Sequence, residues 1–213
     1  MSVVTIGEKN LTLSDVEKVS KYNARVTLSS KAKKNIKKTK DFLLDQLKLE
    51  KSIYGINTGF GLLSDIQISG SDLSELQYNL LRSHAVGVGN YLSDVDVRAM
   101  LLLRAQALSL GYSGVSVELV EKIIELLNSG ICPLVPEQGS VGASGDLAPL
   151  AHLALPLIGE GSVRLEGKEM PTKKAFNVKE IEPIELGPKE GLGLINGTQF
   201  ILSIAIKSLL ESE

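Results

Sequence analysis

Apolar residues recur at helical spacing along most of this chain, so helices are the elements its pattern predicts. Ser14-Asp15-Val16-Glu17 has the form of a capping box opening a short helix. A lysine-rich stretch, Lys31 to Lys40, runs into Phe42, Leu43, Leu44 and Leu47 at the same spacing. Ser71-Asp72-Leu73 starts another helix through Leu76, Leu80 and Leu81, and Ser93-x-x-Asp96 caps a third. That third helix is apolar on nearly every face, through Met100–Leu103 and Ala105–Leu110, which predicts a central position. A fourth helix covers Val117 to Leu127 and stops at Asn128-Ser129-Gly130. The Pro and Gly content of Pro133–Gly145 marks a loop, and Asp146 places an acid where the next helix begins. Residues 162–170 alternate around Glu166-Gly167 like a small hairpin, and Ser52-Ile53-Tyr54 suits a short strand. The pattern therefore predicts a mainly α fold with a few short β hairpins.

The last apolar segment is peculiar. Phe200, Ile201, Ile204, Ala205, Leu209 and Leu210 form a broad apolar face that runs almost to Glu213 without a C-cap signal. Such a face normally packs into something, either a partner or further chain. The reading favoured here is a larger protein cut at this point.

Composition narrows the class. Hydrophobic residues make up 43% and charged residues 23%, which supports a packed core in a chain of 213 residues. A net charge of -2 gives no electrostatic case for nucleic acid or anionic lipid. The lysines of 31–40 fall on two adjacent stripes without interleaved aromatics, so they read as a solvated face. The lone cysteine, Cys132, makes a reducing cytoplasm the expected compartment. No signal peptide is expected in residues 1–20, and no membrane span, since Arg104, Gln106 or Lys207 breaks each long apolar run.

The candidate chemistry lies at Gly139-Ser140-Val141-Gly142-Ala143-Ser144-Gly145-Asp146, where Ala-Ser-Gly stands among glycines and ahead of an acid. Such a tripeptide can cyclise on itself. The Gly145 nitrogen can reach the Ala143 carbonyl carbon because glycine has no Cβ in the way. Loss of one water from the ring and one from the Ser144 side chain leaves a methylidene-imidazolone, a strong electrophile. Familiar alternatives fail. A nucleophile elbow needs Gly two residues after Ser144, where Asp146 stands. No Gly-Lys-Ser/Thr follows the glycines, and two histidines, His84 and His152, with one cysteine give no metal-ligand spacing.

Three further segments draw attention: Tyr54-Gly-Ile-Asn-Thr-Gly-Phe-Gly61, Ser83-His84-Ala-Val-Gly87 and Asn196-Gly197-Thr198. Each has a bland reading as well: a glycine turn, an ordinary histidine near a helix end, and the commonest turn dipeptide. Taken together and in this order, with Gly142-Ala-Ser-Gly-Asp-Leu-Ala-Pro149-Leu-Ala-His152, they resemble the histidine ammonia-lyase branch of the aromatic amino acid lyases. The resemblance covers essentially the whole chain.

The resemblance implies the N-terminal domain of the aromatic amino acid lyase (L-aspartase-like) fold, truncated before most of its helical bundle. It divides the chain into an active-site domain, 1–198, and the start of a bundle helix, 199–213. It implies a carbon–nitrogen lyase that removes ammonia from L-histidine to give urocanate, with 4-methylidene-imidazol-5-one formed autocatalytically from Ala143-Ser144-Gly145 and no metal or nucleotide. Tyr54 would be the base for the β-proton, Asn196 would stabilise the ring oxygen, and Asp146 would support ring formation. Ser83 and His84 would face the substrate ring; the phenylalanine and tyrosine branches carry Phe-Leu or His-Leu there. His152 is expected to be structural. The family assembles as homotetramers, and its carboxylate-binding arginine, second tyrosine and ring glutamate lie beyond this length. The expectation is thus a fragment inactive alone, or one completed by a chain supplying the C-terminal half. Alternatives are a phenylalanine or tyrosine ammonia-lyase or aminomutase, and a non-catalytic half-chain that binds a full-length homologue.

Overall fold

The structure, a computed structural model, describes residues 2–49, 52–59, 68, 72–142 and 145–212. The candidate residues Ala143 and Ser144 lie outside them. Nine helices and seven short strands are described, in the order β1 Val3–Ile6, α1 Leu13–Ser20, β2 Arg25–Leu28, α2 Ser30–Leu47, α3 Leu73–His84, β3 Val88–Tyr91, α4 Asp94–Ser109 and α5 Val117–Asn128. There follow β4 Cys132–Pro133, β5 Pro136–Gln138, α6 Leu147–Ala154 with a single 3-10 turn, Leu155–Ile158, then β6 Ser162–Leu165, β7 Lys168–Pro171, α7 Thr172–Lys179, α8 Glu190–Ile195 and α9 Gln199–Ser212.

The centre is α4, as its all-round apolarity predicts. Met100, Leu101, Leu102, Ala105 and Leu108 are each at most 1% exposed, and α1, α2, α5 and α9 pack around the helix. Two arginines share this apolar helix, and both are spent on helix ends. Arg98 donates from Nε and Nη2 to the Val19 carbonyl and from Nη1 to the Leu127 carbonyl, at the last turns of α1 and α5. Arg104 does the same for α8, as described below. A cation suits the negative end of a helix, and three carbonyls near helix ends gain a charged donor this way.

The caps refine the expected boundaries. The box at α1 sits two residues earlier than Ser14: Thr12 Oγ1 accepts from the Asp15 amide at 3.2 Å, and Asp15 Oδ2 accepts from the Thr12 amide at 3.1 Å. Aspartate thus does the work expected of Glu17, and the Thr12 bonds hold its carboxyl below its usual pKa. At α4 the expected cap is present, with Ser93 Oγ accepting from the Asp96 amide at 3.3 Å.

The strands are short and mostly non-local. Only β6–β7 is a local hairpin among those described; Glu166 and Gly167 turn it, both at positive φ. β1 pairs with β2 in parallel, β3 with β5 and β4 with β6 antiparallel. The Pro133–Gly145 loop therefore contains two strand pieces, which alternation could not reveal because each spans at most three residues. Residues 52–54, expected as a strand, instead lead into a turn. The membrane expectation also needs correcting. Glu190–Ser212 is long and apolar enough to cross a membrane by length and composition. In the fold this stretch is two helices broken at Asn196–Thr198, and Lys207 pairs with buried Asp96 on α4 at 3.1 Å.

Candidate active site

Gly145 and Asp146 meet the chain again at the α8–α9 turn. Gly145 has φ 110, a backbone conformation open to glycine, and a Cβ placed on it would lie 2.6 Å from the Gly197 carbonyl oxygen. The Asp146 amide donates to that same oxygen at 2.7 Å. Residues 145 and 146 are therefore seated directly on Gly197, the neighbour of Asn196. Asn196 ends α8, its amide bonded to the Leu192 carbonyl, and is exposed.

Asp146 occupies the N-cap position of α6 yet does not cap it with its side chain. The fully buried carboxylate accepts from the Ser140 hydroxyl at 2.6 Å and from the Ile201 amide, in the first turn of α9, at 3.0 Å. Negative charge thus sits between the N-termini of α6 and α9, favourable for both. Ser140 also accepts from the Gly142 amide at 3.3 Å, so one hydroxyl links the acid to the loop before Ala143.

The Ser83-His84 pair closes α3. His84 Nδ1 lies 2.8 Å from the Leu80 carbonyl, and Ser83 Oγ donates to the same oxygen at 3.1 Å. A carbonyl only accepts, so Nδ1 carries the proton and Nε2 is left as the ring's acceptor. Three residues on, the Gly87 amide donates to His152 Nε2 at 3.0 Å, and a Cβ on Gly139 would stand 3.1 Å from the Gly87 Cα. His152, expected to be structural, fastens the His84 segment to α6. Burial pushes its pKa below the usual histidine range, consistent with a neutral ring that accepts.

Tyr54 stands on a turn in which the Ile53 amide donates to Asn57 Oδ1 at 2.7 Å and the Gly55 amide to Thr58 Oγ1 at 3.3 Å. The phenol is 61% exposed, while Ile56, Asn57 and Thr58 behind it are buried. No hydrogen bond among the described residues joins Tyr54 to Gly145, Asn196 or His84. Three of the four motifs are thus brought together through Gly197, Asp146 and Gly87. Sequence reading missed Ser140, and also Arg104, which it noted only as an interruption of an apolar run. The signal was there: an arginine amid Leu101–Leu108 needs acceptors, and helix-end carbonyls are what a core offers.

The aromatic amino acid lyase family profile matches residues 11–213. A histidine ammonia-lyase of Shouchella clausii is 47% identical over 211 residues, which is 99% of this chain and 42% of that protein. Among solved structures, an ergothioneine-degrading ergothionase from Treponema denticola superposes with a TM-score of 0.95 at 35% identity, covering 99% of this chain and 42% of that one. Histidine ammonia-lyase from Trypanosoma cruzi superposes with a TM-score of 0.90 at 36% identity, over 99% of this chain and 40% of that one. This chain spans about two-fifths of the length of such relatives, and in each of them the remaining length lies on the same chain. The chain belongs to the aromatic amino acid lyase family.

Proposed function

We propose that this chain is the ring-forming N-terminal part of a histidine ammonia-lyase, which eliminates ammonia from L-histidine to give urocanate. The observation that supports the reading is the seating of Gly145 and Asp146 on Gly197, the residue that follows Asn196. When formed, a methylidene-imidazolone made from Ala143, Ser144 and Gly145 supplies an electrophile that drains electrons while an amine departs. The missing Cβ of Gly145 fits the close approach that such closure demands.

The other roles follow from the chain's own groups. Asp146, held by the Ser140 hydroxyl, can pass a proton during closure. The Asn196 side-chain amide can donate to the ring oxygen, an oxyanion-hole contribution. Tyr54 takes the β-proton as general base. Ser83 and His84 favour an imidazole substrate over an apolar ring, because His84 Nε2 remains available as an acceptor for an imidazole N–H. That counts against the phenylalanine and tyrosine readings. The division at residue 198, assembly as a homo-oligomer and a cytoplasmic location, the last resting on Cys132 alone, complete the proposal.

The test uses the chain in two forms. Intact-mass analysis of residues 1–213 should show the loss of two waters, localised to the peptide holding 143–145. A chimera of residues 1–213 joined to the remaining length of the Shouchella clausii relative should form urocanate from L-histidine and not cinnamate from L-phenylalanine. Ser144→Ala in that chimera should lower turnover by at least about 10³-fold, a loss of ~4 kcal/mol in transition-state stabilisation. Full turnover by the Ser144→Ala chimera would end this reading.

A further inference from the structure

Arg104 is 5% exposed, and no carboxylate among the described residues pairs with it. Its Nη2 donates to the Gly193 carbonyl in the last turn of α8 and its Nη1 donates to Gln199 Oε1 at 2.8 Å, at the start of α9. Its Nε has no hydrogen-bond partner among the described residues. The guanidinium thus bridges the two helices across the Asn196–Gly197–Thr198 turn. It also fills the space where Gly197 would carry a side chain, since a Cβ there would collide with Nη1. Gly197 is therefore clasped between Arg104 on one side and Gly145 and Asp146 on the other.

A buried cation without a counter-charge is expensive to keep. Burial alone pushes the Arg104 pKa down to about 10, so the group stays charged at neutrality and bears that cost. A methionine or leucine would fill the same volume in an apolar helix without it. What only the guanidinium does here is hold the turn from beneath.

We propose that Arg104 is the positioning residue for ring closure: by clamping Gly193 and Gln199 it presses the Gly197 carbonyl against Gly145 and Asp146 and so fixes the nucleophilic amide of Gly145. The proposal rests on the ring reading above. In the closure, the Gly145 nitrogen bonds to the Ala143 carbonyl carbon and loses its proton. The Ala143 oxygen leaves as water with the Ser144 amide proton, forming a C=N bond. The Ser144 hydroxyl then leaves with its Cα proton as a second water, forming the exocyclic C=C bond. No oxidant or other reactant is needed.

The experiment follows closure by intact mass after refolding of the 213-residue chain, with circular dichroism establishing that each variant is folded. Folded Arg104→Met should close at least ten-fold more slowly than the parent, and Arg104→Lys, which keeps charge but not the fork, should fall between. Gly197→Ala should slow closure in the parent but add nothing in Arg104→Lys, where the collision with Nη1 is gone; Gln199 can swing aside in both. If Arg104→Met fails to fold, Arg104→Lys and the Gly197→Ala pair decide. Closure of folded Arg104 variants at the parent rate, or independent effects of the pair, would overturn the role of Arg104. A parent that stays linear sinks the ring reading itself, and the clamp is then read from hydrogen exchange at the Asp146 amide. That amide should exchange at least ten-fold faster in folded Arg104→Lys, and unchanged exchange would overturn the clamp.

Discussion

His152 shows what a single residue contributes here and how it can be tested. Its Nε2 accepts the Gly87 amide proton, so the bond exists only while the ring is neutral. Burial lowers its pKa from the ordinary 6.5. The unfolded chain therefore binds a proton at a higher pH than the folded one does, and the folded state loses stability as pH falls below about 6.5 towards the lowered value. Above that range the residue contributes no slope. The expected result is a stability that declines from pH 7 to 5 by less than about 1.4 kcal/mol per unit from this group. His152→Gln, whose side-chain carbonyl can accept the same proton, should flatten the decline in urea melts. An unchanged slope in that variant would remove His152 as its source. The sequence displayed this histidine within a recognisable motif but not its partner, because Gly87 lies 65 positions away. Ser140 and Arg104 escaped for the same reason: their roles depend on where Asp146 and Gly197 meet, which no local pattern encodes.

Elements were more legible than contacts. Period and capping located α2, α4, α5 and the β6–β7 hairpin because each is decided within its own residues. What pattern could not show was how the six-residue helix α8 is held, since so short a helix is marginal without tertiary support. The answer is a buried anchor at its first residue. Glu190, 2% exposed, accepts from the Ser116 amide at 2.7 Å, from the Gly187 amide at 2.7 Å and from Lys40 Nζ at 3.1 Å. At the next residue, Gln77 Oε1 accepts from the Gly191 amide at 2.9 Å. A lysine that sequence assigned to a solvated face is thus partly buried and serves α8, while its neighbours remain outside. Lys40→Met leaves the Glu190 carboxylate buried with only amide donors and should cost about 3 kcal/mol in denaturant melts. Because α8 leads into Asn196, closure of the 143–145 segment should slow as well. A loss below about 0.5 kcal/mol would mean that the two amides suffice.

At the scale of the whole molecule, α9 has apolar residues on both sides. One side meets α4, with Ser203 buried and Lys207 paired to Asp96. The other carries Ile201, Leu202 and Leu209, which are 47%, 43% and 46% exposed. Leu202 and Leu209 are seven residues apart, hence on one stripe of the helix, and a contiguous apolar stripe at a surface marks a place of association. The proposed division at residue 198 and the proposed homo-oligomer both assign that stripe to a helical bundle. The 213-residue chain should accordingly self-associate in sedimentation experiments, increasingly with concentration. Leu202→Lys together with Leu209→Glu should shift it towards monomer. Because both side chains point away from α4 and the Asp146 bond uses only the Ile201 backbone amide, the melting temperature of the dilute protein should hold. The apolar stripe is thereby separable from the site: variants that stay monomeric yet still lose two waters at 143–145 would place assembly downstream of ring closure. Loss of closure with assembly would instead make a neighbouring copy part of the ring-forming machinery.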